Sequence, residues 1–112
     1  MAGRLTRGEV RLYDFAPPDK TRPVVVLTRS SAITYLATAT VAPITSTARG
    51  VPSEVALDDG DGMKGPCAVN LFNVLTVPQS RLGKRVAQLS SSRMEEICAA
   101  LRYSLGCLPG DS

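Results

Sequence analysis

Residues 19 to 29 read DKTRPVVVLTR. Val24–Leu27 is an aliphatic run with no polar interruption, the pattern of an inner strand, and Pro23 fits only as its first residue, where a missing N–H is tolerated. Directly ahead stands Arg22, with Lys20 two positions earlier, so an always-charged guanidinium sits at the edge of the core. Pro23 pushes Arg22 into an extended conformation and the stiff strand behind anchors it. A planar fork so placed is pre-organised for a phosphate, although the usual fate of an arginine is a solvated loop.

Strand signals surround this run. Glu9–Phe15 alternates, with Val10 and Leu12 on one face and Glu9, Arg11 and Tyr13 on the other. Ala16–Asp19 is a Pro-Pro loop. Ser30–Tyr35 is a polar connection; Leu36–Val41 is a third strand ended by Pro43. Ile44–Thr47 is an edge or strand end, and Val51–Leu57 a short strand demoted toward the edge by Pro52. Cys67–Val77 alternates as one long strand interrupted by Asn73, and Arg85–Leu89 is the last. Then the period changes: Ser92 and Glu95 form a capping box, and Met94, Ile97, Cys98, Leu101 and Leu105 make a helical stripe closed by Gly106. The expectation is a mainly β chain of five or six short strands with one C-terminal helix, a small, strongly bent barrel or sandwich with an open face that the helix covers.

At 112 residues the chain is long enough for one domain, 1–112, with 108–112 as a frayed tail. No apolar run is long enough for a membrane span, so a soluble, cytoplasmic protein is expected. Cys67, Cys98 and Cys107 show no metal-ligand spacing and there is no histidine, which argues against zinc and removes the side chain that titrates near neutrality. Asp58–Gly62 has the Asp-x-Asp spacing of a calcium loop but not its terminal glutamate, and is read as a solvated acidic loop. The net charge of +3 and pI of about 9.0 permit a polyanionic partner.

Further candidates for a phosphate-binding cleft are Thr45, Ser46 and Thr47, three hydroxyls in a row at a strand end, and Arg49 as a second cation. Against that stands ordinary β-propensity. Asn73 is either a satisfied bend or a reader of base edges. Arg81, Lys84 and Arg85 form a basic run of the kind usually found in solvated turns.

RGEVRLYDF (7–15), KTRPVVVLTR (20–29), TVAPITST (40–47), NLFNVLTVPQSRLGKRVAQLS (70–90) and MEEICAALRYSLG (94–106), in that order, resemble the MazF/PemK family of type II toxin–antitoxin ribonucleases. The resemblance implies an SH3-like β-barrel toxin of the MazF/CcdB type that forms a homodimer and cuts single-stranded RNA without a metal or other cofactor. The products would carry a 2′,3′-cyclic phosphate and a 5′-hydroxyl. It implies that Arg22, before the proline, and Thr45, ending Pro-Ile-Thr, are catalytic. Lys20, Thr28, Ser46, Thr47, Arg49 and Asn73 are then expected to bind RNA, with Phe72, Tyr35 and Tyr13 as stacking candidates. The implied partner is a cognate MazE-like antitoxin that lays an acidic C-terminal tail across the groove. Arg11 departs from the family's usual tryptophan, and the loop before Arg22 lacks the frequent Gly-x-Glu segment. The alternatives are a CcdB-like gyrase poison, which relies on a C-terminal tryptophan absent here, and a non-catalytic SH3-like binding module.

Overall fold

The computed structural model describes residues 5–18, 20–107 and 109–110; Asp19 of the Pro-Pro loop and Leu108, Asp111 and Ser112 of the expected frayed tail lie outside the described residues. The strands are β1 (Glu9–Asp14), β2 (Thr21–Val26), β3 (Thr38–Thr45), β4 (Glu54–Leu57), β5 (Cys67–Asn70), β6 (Leu75–Pro78) and β7 (Arg85–Gln88). The helices are α1 (Ser30–Ile33) and α2 (Ser91–Leu105), and 3-10 turns span Asp59–Asp61 and Gln79–Arg81. Every pairing is antiparallel, in the order β4-β5-β3-β2-β1-β7 with β6 also on β3. The sheet curls into a half-barrel of the expected SH3-like type.

β2 is an inner strand because both its faces find apolar cover. Val25 joins Val10, Ala42, Ile44, Val55 and Val69 in a core completed by Met94, Ile97 and Ala100 of α2. Val24 and Val26 turn the other way, onto Ala39, Val41, Val77 and Ile33. All three valines are fully buried. Each such side chain contributes roughly 1.5–3 kcal/mol of burial.

Several local expectations are corrected. Among the described residues the strands number seven, because Cys67–Val77 is two strands rather than one. Val41 pairs with Leu75 and Ile44 with Val69, so β3 has two residues between these pairs where the opposite chain has five. The surplus loops out around Phe72 and Asn73, a wide bulge at the bend of the sheet. The same bulge lets β3 run through Pro43. Leu27 N–H donates to the Thr40 carbonyl, so by alternation the position of Pro43's missing N–H faces the bulge side, where no ladder partner waits. Ser30–Tyr35 contains a single helical turn, and β4 begins only at Glu54, after a turn through Pro52.

The helix is capped by Ser90, not Ser92: the Ser90 hydroxyl accepts from Arg93 N–H at 3.2 Å. Of three consecutive serines, only Ser90 places two apolar residues, Leu89 and Met94, where a hydrophobic staple needs them, and both are buried in the α2 core. The buried stripe is Met94, Ile97 and Ala100, with Cys98 and Leu101 half-buried and Leu105 left 66% exposed. Ala100 takes the inward position because its small side chain lets the helix lie close on β4, against which it packs. Gly106 closes the helix in the left-handed region, φ 66°.

The acidic loop is not simply solvated. Asp58 and Asp61 cap the 3-10 turn reciprocally, and Arg93 Nε donates to Asp61 Oδ1 at 2.9 Å, tying the loop to α2. Burial pushes the Asp61 carboxyl up, but the Arg93 hydrogen bond and the backbone N–H of Asp58 outweigh it and hold it below its ordinary 3.8. A lowered folded value means that this stabilisation is present above pH 3.8 and is lost as pH falls through the lowered value. Asp61→Asn should therefore cost about 1–3 kcal/mol at neutral pH, and its deficit against wild type should shrink in thermal melts taken below pH 4. A deficit that stays constant down to pH 2 would contradict this. The three cysteines carry no disulfide; burial pushes the Cys67 thiol up.

Candidate active site

Strand alternation assembles the site. Val24 lies across from Pro43, Thr45 from Ala68, and Asn70 from Glu54. Two residues from the first pair on the same face come Arg22 on β2 and Thr45 on β3. One face of the sheet thus carries Arg22, Pro43, Thr45, Asn70 and Glu54 in neighbouring rows. Near the sheet centre this face is closed by the Val24–Val41–Val77 cluster. Toward the start of β2 and the end of β3 it opens into a cleft of about 600 Å³ whose lining includes Arg22, Thr45, Thr47, Arg49, Phe72, Asn73 and Tyr103. A second hollow of about 510 Å³ shares Arg22 and Thr45 and adds Lys20, Ser46 and Lys64. Arg22, Ile44 and Thr45 are common to both, Ile44 being almost fully buried.

The side chains on the floor fix the rims. Thr45 Oγ1 accepts from Thr47 N–H at 3.2 Å, which uses a hydroxyl lone pair and leaves the hydroxyl proton to be donated into the cleft. Glu54 Oε1 accepts from the backbone N–H groups of Arg49 and Gly50 at 2.8 and 3.2 Å, holding that loop in a turn whose Gly50 sits at φ 70°. Asn70 Oδ1 accepts from Phe72 N–H at 2.9 Å and so sets the bulge. Among the described residues no carboxylate is within ion-pair distance of Lys20, Arg22 or Arg49. The cleft therefore offers cations and hydroxyl donors to an anion, alongside one lining carboxylate, Glu54, whose Oε1 is engaged by the Arg49 and Gly50 backbone.

Of the residues expected from the sequence, Arg22, Thr45, Thr47, Arg49 and Asn73 meet in the first hollow, and Lys20 and Ser46 in the second. Thr28 stands apart. It lies six residues along from Arg22, on the order of 20 Å at strand rise, and its hydroxyl accepts from Thr40 N–H at 2.7 Å. Tyr13 is packed edge-on to Phe15 at 4.9 Å, and neither it nor Tyr35 lines the hollows. Sequence reasoning missed Glu54, Lys64, Asn70 and Tyr103. Glu54 and Asn70 were findable from strand register once the sheet order was known. Lys64 and Tyr103 reach the site from a loop and from the helix, which no local pattern signals.

A curled antiparallel half-barrel with a C-terminal helix, and a cleft between the ends of two central strands whose cations are unpaired among the described residues, defines the class: a small, single-sheet β domain. Residues 6–105 match the family described as PemK-like, MazF-like toxin of type II toxin–antitoxin system, and the chain belongs to that family. It is 44% identical over 102 residues to the probable endoribonuclease MazF5 of Mycobacterium tuberculosis, covering 90% of this chain and 93% of that protein. It is 37% identical over 92 residues to endoribonuclease MazF3 of the same species, covering 82% and 89%. The solved structure of M. tuberculosis toxin MazF-mt6 superimposes with a TM-score of 0.79 at 33% identity, covering 87% of this chain and 95% of that one.

Proposed function

We propose that the protein is the endoribonuclease toxin of a type II toxin–antitoxin pair, cutting single-stranded RNA by attack of the RNA's own 2′-hydroxyl on the adjacent phosphorus. The observation that carries this is the placement of Arg22 and Thr45 on neighbouring strands of one face, where both line each of two adjoining hollows that also hold Lys20 and Arg49. An intramolecular nucleophile needs alignment and charge stabilisation more than an activated protein group. The O2′–P bond forms as the 2′-hydroxyl proton passes to solvent water in the open cleft, and the P–O5′ bond breaks as the leaving 5′-oxygen takes a proton from water, giving a 2′,3′-cyclic phosphate and a 5′-hydroxyl. Arg22 neutralises the extra charge on the phosphorane through its fork. Thr45 donates its free proton to a non-bridging oxygen. Arg22 is not the base, because a guanidinium keeps its proton. Arg49 and Lys20 hold the phosphates on either side.

The toxin works as a homodimer in the cytoplasm, inhibited by a MazE-like antitoxin whose acidic tail occupies the same cationic cleft. No helix among the described residues is long and apolar enough to cross a membrane.

The experiment is cleavage of a long RNA in EDTA with mapped product ends. Cyclic-phosphate ends from wild type, and no cutting of an all-DNA copy that still binds, are expected. Cleavage of the DNA would sink the 2′-hydroxyl mechanism. No cutting by folded wild type, with or without added magnesium, would sink the ribonuclease.

A further inference from the structure

The cleft contains two exposed aromatic rings with no task in the phosphate chemistry. Of the chain's two Phe and three Tyr, Phe72 and Tyr103 line it, 63% and 53% exposed. They arrive from unrelated elements, Phe72 from the β5–β6 bulge and Tyr103 from the last turns of α2. Among the described residues the one ring pair in contact is Tyr13–Phe15, so Phe72 and Tyr103 are not spent on each other. Single exposed apolar residues are ordinary, but two of five aromatics in one cleft beside two arginines are not a scatter. The bulge is also held in place, since Asn70 accepts from Phe72 N–H at 2.9 Å. Asn73, next along the bulge, lines the same cleft with a side-chain amide that both donates and accepts.

We infer that Phe72 and Tyr103 form a nucleobase subsite, in which one unstacked base beside the scissile phosphate lies against the two rings while Asn73 reads its edge. The inference rests on the ribonuclease reading and assigns that site's base recognition. A flat apolar face flanked by cations is the chemistry that single-stranded nucleic acid requires, because every base offers a π-face and every linkage a charge. The sequence preference would then come from Asn73, since stacking itself is tolerant of base identity.

The test uses the full chain and a short RNA carrying one cut site mapped with wild type. Phe72→Ala and Tyr103→Ala should each raise KM by roughly 5- to 150-fold, the range for losing one base–aromatic stack. Tyr103→Phe, which keeps the ring, should recover most of the KM lost in Tyr103→Ala. The decisive substrates have an abasic ribonucleotide placed in turn at each position flanking the cut. At one position the penalties of the alanine variants should vanish, because there is no base left to stack. Penalties that persist on every abasic substrate would overturn the subsite, as would alanine variants that cut like wild type. Alanine variants with wild-type cleavage but weakened inhibition by the antitoxin would reassign the rings to protein binding. If wild type cuts nothing, the ribonuclease reading fails; if wild type cuts and the variants match it, only the subsite does.

Discussion

Arg22→Lys should lower kcat and kcat/KM for RNA cleavage together, by about 10²–10³, with little change in thermal stability. The side chain is exposed and, among the described residues, has no carboxylate partner, so the fold does not lean on it. Lysine keeps the charge but not the fork. A phosphorane presents more negative oxygen than the ground-state diester, and a planar pair of N–H groups meets two of those oxygens where an ammonium meets one. Removing a preorganised donor of this kind typically costs about 2.7–4 kcal/mol in the transition state. Arg22→Ala should be at least as severe. Single-turnover kinetics on the mapped RNA decide between the roles. A loss confined to KM would show that Arg22 binds ground and transition states alike, and the transition-state role would fall. Thr45→Val, which keeps shape and removes the hydroxyl, should show the same pattern more weakly.

The inner strand was legible because burial on both faces leaves an unmistakable signature: Val24, Val25 and Val26 have no polar residue among them. Arg22 was legible because Pro23 dictates the backbone just ahead of that strand. The bulge was not. Cys67–Val77 keeps enough alternation to pass for one strand, and what breaks it is the bend of the sheet around β3, a tertiary demand that only strand order reveals. Phe72 and Asn73 leave the ladder there and become cleft residues. The cap shows the same limit on a smaller scale. Locally Ser92 carries the stronger signal, with Glu95 three residues on, yet the cap falls to Ser90, the start that buries Leu89 with Met94.

The site was legible only along single strands. Arg22 with its proline, and Thr45–Thr47, are contiguous in sequence and were found. Glu54, Asn70 and Tyr103 come from β4, β5 and α2, and join the cleft through cross-strand register and helix docking. Thr28, which the resemblance implies binds RNA, lines neither hollow, because a strand carries a residue six positions from Arg22 well along the sheet.

Arg11 leads to the second large effect, on stability rather than activity. Glu9 and Arg11 do alternate away from Val10 as the sequence implies, but that face is covered rather than solvated. Glu9's side chain is 6% exposed and Arg11's 12%. Arg11 Nε donates to Glu9 Oε1 at 2.9 Å, and its Nη1 to the Gly83 carbonyl at 3.0 Å. Thr6 donates to Glu9 Oε2 at 3.2 Å, and Arg85 stands 3.8 Å from the same oxygen. The Arg11 guanidinium is tolerable in this covered position because Glu9 neutralises it. Glu9→Ala should therefore cost about 2–4 kcal/mol, somewhat less than the 3–5 of a fully enclosed pair because Arg85 and Arg11 retain some water. That corresponds to a Tm lowered by roughly 10 °C or more for a domain of this size. The double change Glu9→Leu with Arg11→Met removes both charges and should recover most of the loss, since a buried pair replaced by apolar side chains leaves no stranded ion. If the double variant melts as low as Glu9→Ala, the cost was packing rather than an orphaned charge. If Glu9→Ala melts like wild type, Arg11 finds its neutralisation in solvent, and the pair contributes nothing to stability.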